Sequence, residues 1–108
     1  MAADRRPPAW SPLALADLAE AWRRYATIAG RLTADKTVRD VGAACGTLQQ
    51  RPYAGRARDE VRPGMRAIAA GPLVVFYRVT RAEDVQVLRV LDRRNDAAEM
   101  FGGEGERR

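Results

Sequence analysis

Arginine is the residue through which this chain can do most of its chemistry. Of its 19 basic residues, 18 are arginines and Lys36 is the single lysine. A guanidinium group presents a planar fork of donors that matches carboxylates and phosphates, and it keeps its charge at physiological pH. The net charge is +5 and the pI is about 10.3. The composition therefore predicts binding to nucleic acid or to an acidic protein segment.

Groups that move protons near neutral pH are scarce. The chain has no histidine, which removes the commonest general base and the commonest metal ligand. Its single cysteine, Cys45, can form neither an intramolecular disulfide nor a thiolate cluster. An arginine stabilises negative charge but accepts a proton poorly. We therefore expect no metal, no cofactor and no catalytic base.

Two arginines stand in the most regular part of the sequence. Residues 73–80 and 85–91 are dense in β-branched and aromatic residues, and a short polar break separates them. This pattern predicts an antiparallel hairpin with residues 81–84 as its loop. Each run carries one arginine, Arg78 or Arg89, among apolar neighbours. A buried guanidinium without a partner is costly, so these two should mark a face that another molecule covers.

The loop position also predicts the register of the hairpin. Phe76 should lie opposite Arg89, and Arg78 opposite Val87. Side chains alternate between the two faces of a strand, so these four share one apolar but cationic face, which indicates an interface. The expected core face holds Leu73, Val75, Tyr77, Val79, Gln86, Leu88 and Val90, and the second face holds Val74, Phe76, Arg78, Val85, Val87, Arg89 and Leu91.

Two helices are predicted before the strands. Ser11 followed by Pro12 is typical of a helix start, and Gly30 of a helix end. Thr33 is the expected N-cap of the second helix, which must end before Pro52.

Apolar residues recur at helical spacing in both segments. The expected buried stripes are Leu15, Leu18, Ala19, Trp22, Ala26 and Ala29 in the first helix, and Val38, Val41, Cys45 and Leu48 in the second. Gly42 and Gly46 weaken the second helix, and we explain them by close packing of the two helices.

The order of these elements predicts an α+β fold of two layers. A short edge strand near residues 7–10 comes first, and a helix hairpin then packs on a three- to four-stranded antiparallel sheet. We expect one domain over residues 8–101, with disordered ends at residues 1–7 and 102–108. No apolar run approaches the ~20 residues that span a bilayer, and no secretory signal is recognisable, so we expect a cytoplasmic location.

Four segments, taken in their order and spacing, carry a family resemblance. They are Ser11-Pro12-Leu13-Ala14 with Trp22-Arg23-Arg24-Tyr25, Leu48 to Arg56, Gly64-Met65-Arg66, and Val75-Phe76-Tyr77-Arg78-Val79 with Leu88-Arg89-Val90-Leu91 and Arg93-Arg94-Asn95-Asp96. Over about residues 8–101 the chain resembles the RelE/ParE superfamily of bacterial toxins, and its ParE branch in particular. It departs from that pattern at Asp92, where many relatives have histidine.

The resemblance implies a toxin of a type II toxin–antitoxin system. Such a toxin would inhibit DNA gyrase and so replication, without being an enzyme. A ParD-like antitoxin would wrap it in a hetero-oligomer, and only the antitoxin would touch DNA. The antitoxin would contact Trp22, Tyr25, Phe76, Arg78, Val87 and Arg89. The target would contact Arg93, Arg94, Asn95, Asp96, Met100 and Phe101.

Two alternatives remain open at this point. The RelE branch cleaves mRNA on the ribosome, and the positions similar to its basic residues are Arg56, Arg58, Arg66 and Arg94. The aromatic residue near the C-terminus is Phe101, which lacks an ionisable hydroxyl, so base chemistry is not obvious. The other alternative is an inactive interaction module, because the positive charge permits weak non-specific binding to DNA.

Overall fold

The computed structural model describes the backbone of residues 5–106 and the side chains of residues 5–101. In chain order its elements are β1 (Ala9–Trp10), α1 (Pro12–Ala29), α2 (Arg31–Gln50), β2 (Arg56–Ala57), β3 (Arg66–Ala70), β4 (Leu73–Val79), β5 (Val85–Asp92) and α3 (Ala97–Glu106). Of the ends expected to be disordered, residues 1–4 and 107–108 lie outside the described residues, and α3 runs into the segment 102–108.

The five strands form one sheet in the order β1-β5-β4-β3-β2. β1 runs parallel to β5, and the other neighbouring strands are antiparallel. The α1–α2 hairpin packs on one face of the sheet, and α3 packs on the other. The predicted α+β fold is therefore confirmed. β1 is the expected edge strand, and the sheet has more strands than the three or four expected because β2, of two residues, adds one at the other edge.

α1 begins where the sequence predicts, but a different face of it is buried. The hydroxyl of Ser11 accepts a hydrogen bond from the N–H of Ala14 at 3.0 Å, which caps the helix. The buried residues of α1 are Ala14 and Ala21, whereas Leu15 is 56% exposed. Leu18 of the predicted stripe does pack against the core. The most buried positions, however, lie one residue before the predicted Leu15 and Trp22, a difference of roughly 100° of helix rotation. Alanines facing the sheet let the helix backbone approach it closely.

α2 begins without the predicted cap. Gly30 has a φ of 93°, ends α1 and directly precedes Arg31, the first residue of α2. Thr33 lies inside α2, so its predicted role as N-cap is wrong. Gly42 and Gly46 are exposed, and a Cβ at either position would meet no atom within 4 Å. Close packing of the helices therefore does not explain these glycines, and that prediction is also wrong.

The β4–β5 hairpin contains a β-bulge. Phe76 pairs with Arg89 as predicted, but the next pair is Tyr77 with Val87. Leu88 is the extra residue between these pairs, and an extra residue shifts every later side chain to the opposite face.

The bulge changes which residues of β5 are in the core. Val85 and Val87 pack on the helix side of the sheet, where they were not expected. Leu88 packs on the α3 side, and Gln86 there accepts a hydrogen bond from Arg78 at 3.0 Å. Each of these four residues of β5 therefore lies on the face of the sheet opposite to the one predicted.

Two hydrophobic clusters lie on the two faces of the sheet. The buried members of the helix-side core are Ala14, Ala21, Val41, Ala44, Leu48, Ala70, Leu73, Val75, Tyr77, Val85, Val87 and Val90. Those of the α3-side cluster are Met65, Ala67, Phe76, Leu91, Ala97 and Phe101. Within the part of the chain that the structure describes, no helix is long and apolar enough to cross a membrane.

Candidate docking surfaces

Asp92, the last residue of β5, is the centre of a polar cluster. Its carboxylate accepts hydrogen bonds from the hydroxyl of Tyr25 at 2.7 Å and from Nε and Nη2 of Arg94 at 2.9 and 3.1 Å. The guanidinium of Arg24 lies 3.9 Å away. Because of the bonds from Arg94, the pKa of Asp92 lies well below its usual range, and the bond to Asp92 raises the pKa of Tyr25. One carboxylate thus joins α1 to the segment that leads into α3.

The segment after β5 presents its side chains to solvent. Arg94 remains 77% exposed although it is paired with Asp92. Nη1 of Arg93 donates to the carbonyl of Gly71 at 3.3 Å and is otherwise exposed. Met100 of α3 is 42% exposed. We call this region the tail surface, and its residues are Arg93, Arg94, Asn95, Asp96 and Met100.

Phe101 anchors α3 instead of lying on the tail surface. Its ring is buried and meets Phe76 edge to face, with the ring centroids 5.4 Å apart. Arginines stack on both rings: Arg58 lies 5.6 Å from the centroid of Phe76, and Arg62 lies 5.2 Å from that of Phe101. These contacts hold the beginning of α3 against the sheet, and Phe101 itself is buried there.

An apolar cleft adjoins the tail surface. It has a volume of about 360 Å³ and lies between the start of α1 and α3. Leu13 and Met100 line it, and both are more than two-fifths exposed. Through Met100, this cleft gives the tail surface an apolar part at its α3 end.

Arg89 is held inside the chain. Its Nε and Nη2 donate to the two carboxylate oxygens of Asp17 at 2.7 and 2.9 Å, which raises the pKa of Arg89. Asp17 also accepts a hydrogen bond from the N–H of Val90 at 3.0 Å. Both members of the ion pair are less than one-fifth exposed. This bidentate pair joins α1 to β5, so Arg89 has a structural role in the free protein.

The other residues expected to contact an antitoxin differ in accessibility. Phe76 and Val87 are buried in the two clusters. Trp22 is half-buried, and its Nε1 donates to Asp35 on α2 at 2.9 Å. Arg78 is exposed on the α3 side of the sheet. The accessible members of the set are therefore Trp22, Tyr25 and Arg78.

The four arginines considered for RNA cleavage do not surround one point. Arg66 pairs with Tyr77 of the helix-side core, whereas Arg56 pairs with Ala67 of the α3-side cluster, so the two side chains leave opposite faces of the sheet. Asp92 pairs with Leu73, four residues from Tyr77 along β4. The end of β5, which leads to Arg94, therefore lies roughly 13 Å from Arg66 along the strand direction. It is also two strand spacings, about 10 Å, away from Arg66 across the sheet.

Three of these arginines also have partners within the chain. Nε of Arg58 donates to Glu60 at 2.6 Å, and Nη2 of Arg66 donates to the carbonyl of Gly55 at 2.7 Å. Arg94 is paired with Asp92 as described above. The arrangement can bind anions at separate places, but it does not bring the four cations to one scissile phosphate.

Comparison with known proteins gives the class of this chain. The family model for the ParE toxin of the type II toxin–antitoxin system parDE matches residues 9–97. The chain belongs to the ParE toxin family. It is 40% identical over 86 residues to Toxin ParE1 of Mycobacterium tuberculosis, a match that covers 80% of this chain and 88% of the relative. Toxin ParE3 of Caulobacter vibrioides is 43% identical over 51 residues, covering 47% and 50%.

A solved structure has the same fold. It is described as the chromosomal ParDE system from P. aeruginosa and matches with a TM-score of 0.69 and 28% identity. The match covers 82% of this chain and 96% of the other. The chain is thus similar to ParE toxins in sequence and in backbone structure.

Several contacts of this ParE toxin were missed at the level of sequence. Asp17 does not stand out in the sequence, although it holds Arg89, 72 residues away. Leu13 was not selected, although it lines the cleft beside the tail surface. Asp92 was noticed only as a departure from the family pattern. The sequence shows that Asp17 lies on α1 and Arg89 on a strand, but it does not show that the two residues meet. Only the tertiary structure decides that contact.

Proposed function

We propose that this ParE toxin stops growth by binding DNA gyrase and that a ParD-like antitoxin neutralises it in a hetero-oligomeric complex. In this proposal the toxin acts in the cytoplasm, as a binding protein and not as an enzyme. DNA is contacted only through the antitoxin. Membership of the ParE family over residues 9–97 supports the toxin class.

The observation that favours binding over RNA cleavage is the separation of the candidate arginines. Cleavage by the RelE-type mechanism needs cations around one phosphate and a group that takes the 2′-hydroxyl proton. Arg66 and Arg94 lie far apart on the sheet, and the sequence offers no histidine. The toxin can still bind an acidic partner through its charge, because several of its guanidinium groups are exposed.

The tail surface is the proposed contact with gyrase. Arg94 is held in place by Asp92 but remains mostly exposed, so it loses little side-chain entropy when it binds a partner's carboxylate. Met100, with the cleft that it lines, supplies exposed apolar area at the α3 end of the tail surface. Arginine and exposed apolar side chains are both typical of interface hot spots.

The proposed antitoxin contacts are the accessible members of the predicted set, Trp22, Tyr25 and Arg78. These contacts lie on both sides of the sheet, with Trp22 and Tyr25 in the helix layer and Arg78 on the α3 side, so the antitoxin would have to wrap the toxin. Phe76 supports the α3 side and Val87 the helix side, and Arg89 fixes the position of α1. An acidic antitoxin segment would pair with the remaining positive charge of the toxin, and coupled folding of that segment would give a large contact area.

The proposal is tested first by function. The chain is expressed from an inducible promoter in bacteria, with and without a ParD-like antitoxin. We expect loss of viability that the antitoxin reverses. The purified toxin is then assayed for inhibition of gyrase supercoiling and for ribosome-dependent cleavage of mRNA. Cleavage with supercoiling unaffected would replace gyrase by the ribosome as target, and no loss of viability would indicate an inactive module.

A pair of variants tests the tail surface. Arg93→Glu and Met100→Glu should each weaken gyrase inhibition at least tenfold, which corresponds to about 1.4 kcal/mol of binding. The matched control is Arg81→Glu, which reverses an exposed charge at the opposite end of the β4–β5 hairpin. Equal inhibition by all three variants would place the gyrase contact elsewhere on the toxin.

A further inference from the structure

A polar pocket lies where α1 meets the segment after β5. It has a volume of about 390 Å³, and the side chains that line it are Arg24, Asp92, Arg94 and Asn95. Arg94 and Asn95 belong to the tail surface, whereas Arg24 belongs to α1. The pocket therefore joins the helix layer to the edge of the tail surface.

Asp92 is the buried member of this lining, and its hydrogen-bonding capacity is already used. One carboxylate oxygen accepts from the main-chain N–H and from Nε of Arg94, each at 2.9 Å. The other oxygen accepts from Nη2 of Arg94 and from the hydroxyl of Tyr25. Two hydrogen bonds to each oxygen satisfy a carboxylate. Asp92 thus orients Arg94 and presents little carboxylate surface to a ligand.

The guanidinium of Arg24 keeps its hydrogen-bonding capacity. Its Nη2 lies 3.9 Å from Oδ2 of Asp92, which is beyond hydrogen-bonding distance, and it donates no hydrogen bond to any other group among residues 5–101. The group lies over the ring of Tyr25, 5.6 Å from the centroid, which restricts its position. Nη2 of Arg94 lies 3.1 Å from the same oxygen of Asp92. Two guanidinium groups therefore converge, and one further anion beside Asp92 can contact both.

The charges that line the pocket leave one positive charge without a counterpart. Arg24 and Arg94 are cations, and Asp92 is an anion because the bonds from Arg94 hold its pKa well below the usual range. Asn95 is exposed, and its amide can donate a hydrogen bond without adding charge. One singly charged oxyanion would neutralise the pocket, and the guanidinium fork matches the two oxygens of a carboxylate.

The neighbouring charges favour an acidic side chain over a nucleic acid as the occupant. Asp96 and Glu99 follow Asn95 in the chain, and both are exposed. A nucleic acid that placed one phosphate in the pocket would bring its next phosphates toward these acids, which is unfavourable between like charges. A single carboxylate of a protein carries no such row of charges, and its apolar neighbours could reach Met100.

We propose that the pocket receives an aspartate or glutamate side chain of gyrase, which Arg94 binds from the tail surface and Arg24 from α1. The gyrase contact would then extend past Asp92 onto the helix layer, and Arg24 would be a binding residue outside the predicted set. The pocket has this role only if gyrase is the target, as proposed above.

The test compares two neighbouring arginines of α1 in the gyrase supercoiling assay. Arg24→Gln removes one cation of the pocket and should raise the toxin concentration for half-inhibition at least tenfold. Arg24→Lys keeps the charge without the fork and should raise it by a smaller factor. The matched control is Arg23→Gln, because Arg23 is exposed on the same helix and pairs with Glu20 at 2.9 Å. It should change the concentration no more than twofold, and thermal unfolding of each variant shows that it is folded.

The salt dependence of binding to purified gyrase is a measurement that a purely structural role of Arg24 would not change. Loss of an ion pair should make the affinity of Arg24→Gln less sensitive to salt than that of the wild type, while Arg23→Gln should keep the wild-type sensitivity. Equal half-inhibition by the two glutamine variants, or equal salt dependence, would overturn the pocket while leaving gyrase as the target.

Two other results would assign the pocket to a different occupant and so overturn the proposal. One is weaker binding of Arg24→Gln to a ParD-like antitoxin together with wild-type inhibition of gyrase. The other is binding of the wild type, but not of Arg24→Gln, to a DNA duplex without gyrase, which would indicate a phosphate. No inhibition of gyrase by the wild type would instead remove the target and the pocket's role together.

Discussion

The contact between Tyr77 and Gly55 allows a quantitative test of what holds the sheet to the segment before β2. The hydroxyl of Tyr77 accepts a hydrogen bond from the N–H of Gly55 at 2.8 Å, and the tyrosine side chain is 0% exposed. Tyr77→Phe removes the acceptor and leaves a buried amide without a partner. Such a group costs about 1–3 kcal/mol, so we expect a loss of about 2 kcal/mol in the free energy of unfolding.

Gly55→Ala should cost more, for a reason visible in the distances. A Cβ at this position would lie 2.5 Å from the hydroxyl oxygen of Tyr77 and 2.7 Å from the carbonyl oxygen of Ala67. The second neighbour is backbone of a central part of the sheet, so the overlap is relieved only by moving a strand. Overpacking costs about 1–3 kcal/mol, and the lost hydrogen bond adds to it, giving a total of about 4 kcal/mol.

The assay is urea denaturation of the purified toxin without antitoxin, since a bound partner would raise the apparent stability. Tyr53→Phe is the matched control: it removes the same hydroxyl from a tyrosine that is 54% exposed, and it should change the stability by less than about 0.5 kcal/mol. The double variant Gly55→Ala/Tyr77→Phe should cost less than the sum of the single variants, because both remove the same bond. Full additivity, or a Tyr77→Phe variant as stable as the wild type, would refute the reasoning.

Four further substitutions test other parts of the fold by the same denaturation assay. Gly42→Ala and Gly46→Ala should each stabilise the toxin by about 0.5–1 kcal/mol, because the added methyl meets no atom; destabilisation would mean that the helix face is not free. The pKa of Asp92 is lowered in the folded state, so the Asp92 carboxylate stabilises the fold at pH values above its usual pKa of about 4. This stabilisation is lost as the pH falls below that value. The stability difference between wild type and Asp92→Asn should therefore shrink on acidification below about pH 4, and a constant difference would contradict the assignment. Arg89→Leu should cost about 2 kcal/mol because Asp17 keeps its charge in a mostly buried place, and a neutral effect would show that the pair contributes nothing.

Local signals in the sequence determined the elements and their order. Ser11 and Pro12 predicted the start of α1, because the cap is made by neighbours along the chain. The two β-branched runs predicted the β4–β5 hairpin, and Phe76 opposite Arg89 was correct. The sequence of motifs predicted the toxin family, which the comparison confirmed. These features depend on residues that are near one another in the chain, so a single sequence contains them.

Tertiary packing decided the features on which the surfaces depend. The bulge at Leu88 lies where β5 pairs with both β1 and β4, and it places Val87 in the helix-side core. The buried face of α1 follows from docking on that sheet, which selected Ala14 and Ala21 over larger neighbours. The pairing of Arg89 with Asp17 joins residues far apart in the chain. None of these is encoded by local propensity, because each depends on which distant surfaces meet when the two layers come together.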